Sequence, residues 1–449
     1  MLQNLPQVAA WLQFDKSLSL ALFARLWQAI SGPITIALLV WTMNKEEQGL
    51  FSSIFSIAAI QPLFELGLGS VLIGQAGNLL GRSPSSRVAE VAANTVADSQ
   101  DELYGLARAA LKWYGTIAVL YVTTAWAMGW KVLSGSGTLL VDWRLPLLIS
   151  VALAGVSLAV SPRVYVLEGG GEREYVYRWR LWQTVAGSLT MWMALLLDLK
   201  MWGVVAVFAI GASFQIAVAF GPRAQKLLGR RSGSAGRLQM NWLSKIAPLQ
   251  WRTAAGSAAH YLASQLIAIY VVNYHGVRVA APLLLTLQIT VAVQALALVW
   301  AQTKFPLISR LQAEQQREQA GTLWRQTALV SSGLLVLAML GLAAAVGSLE
   351  LFQRGWEERF IPPALILVLG VGYLANHLLA LQAFYVLSRG AKPLVVAAVT
   401  GLLWTAAWVW WGGKYYSVTG VVTAYSLSMI FVTLPLHSWA YMKFRAATE

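Results

Sequence analysis

Apolar runs long enough to cross a bilayer recur along the chain from residue 18 to residue 441, separated by short segments that hold most of the Arg and Lys. A hydrocarbon core about 30 Å thick takes roughly 20 apolar residues in a helix, so each run predicts one membrane-spanning helix. Twelve spans fit this reading: 18–42, 50–78, 113–133, 145–167, 177–198, 201–222, 249–273, 279–303, 327–349, 361–387, 393–411 and 416–441. No stretch between them is long enough for a soluble domain. The expected class is an all-α polytopic membrane protein.

Composition agrees with that pattern. The 449 residues are 57% hydrophobic and 12% charged, with a mean hydropathy of +0.59. The 21 Trp gather toward span ends, where amphipathic rings sit at headgroup level. The stretch Leu5 to Phe14 reads as a short interfacial helix ahead of the first span. That span is too long for a signal-peptide core, and no small-residue cleavage site follows it.

The charges test the count of spans. Alternating segments starting with Lys16 hold 24 of the 33 basic residues, and the opposite set (Lys45, Lys131, Arg144, Lys200, Arg278, Arg354, Arg359 and Lys414) holds 8, with Arg25 left over inside the membrane. Cytoplasmic loops carry the Lys and Arg excess, so both termini are expected in the cytoplasm. The net charge of +14 is spread over several loops and a tail without a nucleic-acid-binding module, which points to topology and anionic lipids rather than nucleic acid. With no Cys there is no disulfide, thiolate metal site or cysteine nucleophile.

The twelve spans read as six plus six. At an offset of 227, Arg25 matches Arg252, Gly49 matches Gly276 and Gln75 matches Gln302; at 220, Tyr165-Val166-Leu167 matches Tyr385-Val386-Leu387 and Gly170 matches Gly390. A parallel duplication of this kind places two pseudo-symmetric six-helix lobes about an axis along the membrane normal. The expected organisation is an N-terminal segment 1–17, a first lobe 18–222, a basic linker 223–248 containing GRRSGSAGR, a second lobe 249–441 and a tail 442–449.

Polar residues inside the spans are few. A charged side chain at the bilayer centre costs at least about 2.5 to 3.5 kcal/mol, so Arg25 and its counterpart Arg252 are expected to face protein or a watery cavity. Arg25, Gln28 and Gly32 share a face of span one. In span two Gln61 and Glu65 lie one turn apart, with Pro62 between them and Gly67 and Gly69 following, a pattern that predicts a hinge or a broken helix. Span seven carries Thr253, Ser257, His260 and Ser264 on one stripe, span eight Thr286, Gln288, Thr290 and Gln294, and span ten Tyr373, Asn376, His377 and Gln382. Together they are expected to line a common interior. The plainer alternative for each is a hydrogen bond to the next helix, worth about 0.6 kcal/mol.

Arginine forks bind phosphate oxygens bidentately and stay charged, while amide and hydroxyl donors suit sugar hydroxyls. A cavity with such cations and almost no carboxylates favours an anionic, hydroxyl-rich substrate over a cationic drug.

Residues 23–78 combine an Arg in the first span, Gln48-Gly49 at the start of the second, and the element Glu65-Leu66-Gly67-Leu68. In this, and in its twelve spans, the chain resembles Wzx-type polysaccharide (O-antigen and exopolysaccharide) flippases of the multidrug/oligosaccharidyl-lipid/polysaccharide (MOP) transporter superfamily. The resemblance implies two six-helix lobes around a central cavity. It implies a multi-pass protein of a bacterial inner membrane that moves undecaprenyl-diphosphate-linked oligosaccharide from the cytoplasmic to the periplasmic leaflet by alternating access, for lipopolysaccharide or other surface polysaccharide synthesis. Arg25 and Arg252 would hold the diphosphate, and the sugar would meet Gln28, Gln61, Ser257, His260, Gln288, Gln294, Asn376 and His377. No cofactor is implied beyond an H+ or Na+ gradient, for which Glu65, His260 and His377 are the titratable candidates. Anionic lipids, a polysaccharide polymerase and chain-length proteins are the implied partners.

Three other readings stay open. A multidrug exporter of the same superfamily relies on lobe carboxylates, which spans seven, eight and ten lack. A lipid II flippase usually carries two further C-terminal spans. A membrane glycosyltransferase or polymerase needs a catalytic outer loop, whereas segments 131–144 and 350–361 are short and the cluster Glu350, Arg354, Glu357, Glu358 and Arg359 reads as a solvated loop. An ATP-driven pump lacks its GxxxxGK[ST] loop.

Overall fold

The structure is a computed structural model and describes residues 16–65, 67–81, 89–135, 142–229, 259, 263, 267–351, 357–387 and 394–448. Among these the chain is helical throughout, and each of the twelve expected spans contains helix. The first is α1 (Lys16–Thr42), which Pro33 does not interrupt. The second is broken into α2 (Lys45–Ala58), α3 (Gln61–Glu65) and α4 (Leu68–Gly81). Then come α5 (Ala89–Ser134), α6 (Arg144–Gly169), α7 (Arg173–Leu196) and α8 (Trp202–Phe220). A short helix α9 (Pro222–Leu228) follows α8 directly, in the segment whose composition reads as a flexible linker.

The second half contains α10 (Ile267–His275), α11 (Val277–Ala313), α12 (Arg317–Leu351) and α13 (Pro363–Leu387). It ends with α14 (Val395–Ser428), a π-helical turn (Met429–Thr433) and α15 (Leu434–Thr448). Span seven is described only at 259, 263 and from Ile267 on, and the expected interfacial helix at 5–14 lies outside the described residues.

Seven helical stretches among the described residues are by themselves long and apolar enough to cross a membrane. They belong to a multi-pass membrane protein. Spans eleven and twelve run together from Val395 to Ala446 as one of these stretches, while span one supplies only the shorter apolar helix Ile30–Thr42, span two is broken, span five carries Arg180 and Gln183 near its start, and span seven is partly described. Spans eleven and twelve are separated at Ser417, whose φ of 57° and ψ of −140° leave the helix. Gly412 and Gly420 face each other beside that turn, and a Cβ on either would strike the other's backbone. In the last span the π turn brings Thr433 Oγ1 2.9 Å from both Thr405 Oγ1 and the Gly401 carbonyl.

Capping residues explain where span two begins. Asn44 Oδ1 accepts from the Glu47 N–H and the Glu47 carboxylate accepts from the Asn44 N–H, each at 2.9 Å, forming a capping box. The break after Ala58 follows from Pro62 and from Gly67, whose φ of 69° a side-chain-bearing residue rarely adopts.

Helices α5, α6, α7 and α8 pack on one another, with α1 against α7; α11, α12, α13 and α14 form a second group with α10. The two groups meet chiefly where α2 lies along α11. That seam positions the site.

Candidate functional site

At the seam the backbones come close because α2 presents Gly49. A Cβ there would sit 2.6 Å from Val277 Cγ1, 2.7 Å from the Val277 carbonyl oxygen and 3.0 Å from Ala281 Cβ. Gly276, the repeat counterpart of Gly49, directly precedes Val277 and has a φ of 81°.

Three polar contacts join the halves beside this glycine. Arg359 Nη1 donates to Gln48 Oε1 at 3.2 Å, Lys45 Nζ lies 3.5 Å from Glu358 Oε2, and Gln288 Nε2 donates to Ser52 Oγ at 3.2 Å. Gln48 and Ser52 are fully buried. The N-terminal end of α2 is also anchored within its own half, where Lys200 Nζ reaches Glu47 Oε1 at 2.7 Å.

Lys45, Lys200 and Arg359, which the charge alternation puts on one face, do meet on one face. The Glu357–Arg359 turn is not merely a solvated loop: it packs on α11 and α12 and reaches across to α2. Burial pulls the Arg359 guanidinium below its ordinary pKa, against the opposing pull of Glu47 and Glu358. Gln48 Nε2 stays buried without a partner, a cost borne at the centre of the seal.

The expected site residues are scattered relative to this seam. Arg25 lies in α1, but its side chain, like Arg252, Ser257 and His260 altogether, is outside the described residues. Gln28 is exposed on α1 and Gln61 half-buried at the start of α3. Gln288 is the member of the span-eight set that faces the other half. Gln294 instead reaches the Tyr373 carbonyl at 3.5 Å, and Thr286 accepts from the Ile361 N–H at 3.3 Å. These three point in different directions, so span eight does not line one common interior.

Span ten likewise turns inward to its own bundle. His377 is fully buried, with Nε2 2.9 Å from Ser331 Oγ, and Ser331 donates to the Ala297 carbonyl at 2.6 Å. His377 Nδ1 is buried without a partner. Gln382 donates to Ser438 and lies 2.7 Å from His437 Nδ1. Asn376 is half-buried. These contacts match the helix-to-helix alternative.

Glu65 is held away from the seam. Its carboxylate accepts from the Tyr165 hydroxyl and from the Gly69 N–H at the start of α4. Gly69 is small because a Cβ there would collide with that carboxylate and with the Tyr165 ring. The Glu-Leu-Gly-Leu element therefore builds a helix break and ties it to α6. Tyr385, the repeat counterpart of Tyr165, packs 5.1 Å from Trp324 and 5.9 Å from Tyr441 instead.

Sequence reasoning missed the Gln48–Arg359 and Gln288–Ser52 pairs and a group on α6, α7 and α8 around Arg180. Arg180 Nη2 lies 2.8 Å from Glu168 Oε2, and the Tyr177 hydroxyl donates to Glu168 Oε1 at 3.2 Å. The available signal was Arg180 with Trp179 and Gln183 on one helix face at the start of span five. No cluster of metal-binding residues occurs among the described residues.

No protein-family model matches the chain, and no curated protein matches it in sequence. Solved structures do match in fold. An inward-facing multidrug resistance MATE family transporter of the MOP superfamily superposes with a TM-score of 0.61 at 12% identity, covering 95% of this chain and 99% of that one. The lipid II flippase MurJ in an inward closed conformation gives 0.64 at 11% identity, over 95% and 90%. An outward-facing MATE transporter of the superfamily gives 0.56 at 11% identity, over 98% of each. The chain has the fold of these MOP superfamily proteins, with two lobes of helices.

Proposed function

We propose that this chain is a flippase that carries undecaprenyl-diphosphate-linked oligosaccharide from the cytoplasmic to the periplasmic leaflet for surface polysaccharide synthesis. The observation that carries the reading is the seam: two helix bundles meet chiefly along α2 and α11, where Gly49 packs against Val277 and three polar side-chain contacts cross among buried apolar side chains of both halves. Two lobes joined chiefly along one helix pair can rock about it. The lobes then rock about a central site while the prenyl tail stays in lipid.

In this mechanism Arg25 and Arg252 grip the diphosphate as bidentate forks. The scarcity of carboxylates in the membrane favours an anionic head group, and the fold shared with a lipid II flippase supports lipid-linked cargo. An H+ or Na+ gradient drives the cycle, with Glu65, His260 and His377 as the titratable groups. The basic loops rest on anionic lipid at the cytoplasmic face.

The second reading is a multidrug exporter, favoured by the equally good fold match to multidrug resistance transporters. Replacing Arg25 separates them. In a strain lacking its own copy, Arg25→Ala at normal membrane levels is expected to abolish surface polysaccharide and leave complete lipid-linked oligosaccharide on the cytoplasmic leaflet. Arg25→Lys retains part of the activity at best, since a point charge replaces a fork. Unchanged polysaccharide with altered resistance to lipophilic cations, lost in Glu65→Gln, would establish the exporter.

A further inference from the structure

Three helix faces in the first bundle converge on a cavity of about 150 Å3 that lies apart from the seam. Trp179, Arg180 and Gln183 come from one face of α7, Ser161 from α6, and Phe214 and Gln215 from α8. All lie toward the ends of their helices that the charge alternation assigns to the cytoplasm. We propose that this cavity is a subsite for one pyranose ring of the transported oligosaccharide, and so the place where sugar identity is read. The proposal rests on the flippase reading and deepens it.

Size comes first. A cavity near 150 Å3 holds a single six-membered ring. It is too small for a disaccharide or for a drug-sized ligand, whose pockets run from about 300 Å3 upward.

Charge comes next. The one cation in the wall, Arg180, is neutralised by Glu168 at 2.8 Å. Among the described residues no carboxylate lines the cavity: Glu168 is engaged by Arg180 and Tyr177, and Glu65 lies behind Tyr165 and bonds to it. A wall without net charge disfavours both a phosphate and a bare metal cation.

The remaining groups fit hydroxyls and an apolar ring face. Trp179 and Phe214 form an edge-to-face pair with centroids 5.3 Å apart, giving an aromatic wall for the C–H face of a sugar. Gln215 Oε1 is buried without a hydrogen-bond partner, an acceptor open to a hydroxyl donor. Across from it Gln183 offers its amide, and Gly211 leaves it room, since a Cβ there would sit 3.4 Å from Gln183 Nε2. Arg180 adds donors whose direction Glu168 fixes. Hydroxyls both donate and accept, so one pyranose satisfies the amides whichever way they are turned.

The test uses the full chain in lipid nanodiscs and saturation-transfer NMR with methyl glycosides of common hexoses and N-acetylhexosamines as probes. At least one glycoside is expected to receive saturation and to be displaced by neither inorganic phosphate nor sodium. Gln215→Leu and Gln183→Leu should each weaken it by about tenfold, the worth of one hydrogen bond with its partner left over. Gln183→Asn, which keeps the amide, should weaken it less, and Leu337→Ala on the exposed face of α12 should leave it unchanged.

Transfer to no glycoside, with water alone filling the cavity, overturns the subsite. So does transfer that survives both leucine variants in folded protein, or displacement by phosphate. The two readings fail separately. A chain whose deletion removes surface polysaccharide but which binds no glycoside refutes the subsite alone. One that binds glycoside through Gln183 and Gln215, yet whose deletion leaves polysaccharide and lipid-linked oligosaccharide unaltered, refutes the flippase alone.

Discussion

The second and eighth spans are counterparts in the six-plus-six plan, and they are built differently. Span eight is one helix, α11, of 37 residues. Span two is three pieces, because Pro62 and Gly67 stand where α11 has Ile289 and Gln294, and Gly69 where it has Leu296. The duplicated fold supplies a stiff rod on one side of the seam and a jointed one on the other. The contact across the seam falls to α2, the first piece of the jointed span, which lies along α11, while α4 packs on α5 and α6 of its own half.

The largest expected effect comes from spoiling the contact between the two spans. Gly49→Leu drives a side chain into the Val277 carbonyl and Ala281, and overpacking of this kind costs typically about 1–3 kcal/mol. The seal should stay parted, with Ser52→Cys labelled by a membrane-impermeant thiol reagent in the otherwise Cys-free chain. Labelling no faster than in the Gly49 parent would show that the glycine does not set the approach.

Next is the joint itself. Gly67→Ala places a Cβ at a φ of 69°, costing roughly 1–2 kcal/mol if the joint persists. Transport and melting temperature should both fall. Gln294→Gly at the matching place in α11 should cost about 1 kcal/mol of helix stability and bring no gain in transport. Equal transport loss from both changes would erase the distinction between jointed and stiff spans.

The smallest effect concerns the anchor at the head of span two. Lys200 is partly exposed, and its hydrogen bond to Glu47 raises the pKa of the ammonium above that of an ordinary lysine, outweighing desolvation. A raised folded-state pKa means that the contribution is fully present at neutral pH and fades as alkalinity passes that raised value. Lys200→Met should therefore lower the melting temperature slightly at pH 7, and the gap should close in strongly alkaline buffer. A gap that persists there would assign the effect to another group.

Much of this architecture is legible in the sequence. Length and apolarity set the spans, and Pro62 with Gly67 and Gly69 announces the break. The offset that pairs Gly49 with Gly276 picks out the two glycines at the seam. What the sequence does not reveal is pairing across long separations. Nothing in the periodicity links Gln48 to Arg359, 311 residues away, or Glu65 to Tyr165. Helical spacing showed that Thr286, Gln288 and Gln294 are polar but not that they point toward three different neighbours. His377 looked like a cavity group because its partner, Ser331, sits on a helix whose own pattern is apolar. Arg180 was hidden for the opposite reason, as its charge suggested a loop while its neighbours Trp179 and Gln183 place it in a bundle.

The most direct measurement joins the seam to the cargo. The side chains of Ser52 and Gln288 touch across it at 3.2 Å, so cysteines at both positions joined by a short bifunctional methanethiosulfonate should hold the seal closed. The leaflet distribution of lipid-linked oligosaccharide is then followed in cells carrying Ser52→Cys with Gln288→Cys as the sole copy. Cross-linking should trap the oligosaccharide on the cytoplasmic leaflet, and reduction should release it to the periplasmic one. A distribution that stays the same with the cross-link formed would contradict transport by parting of this seam.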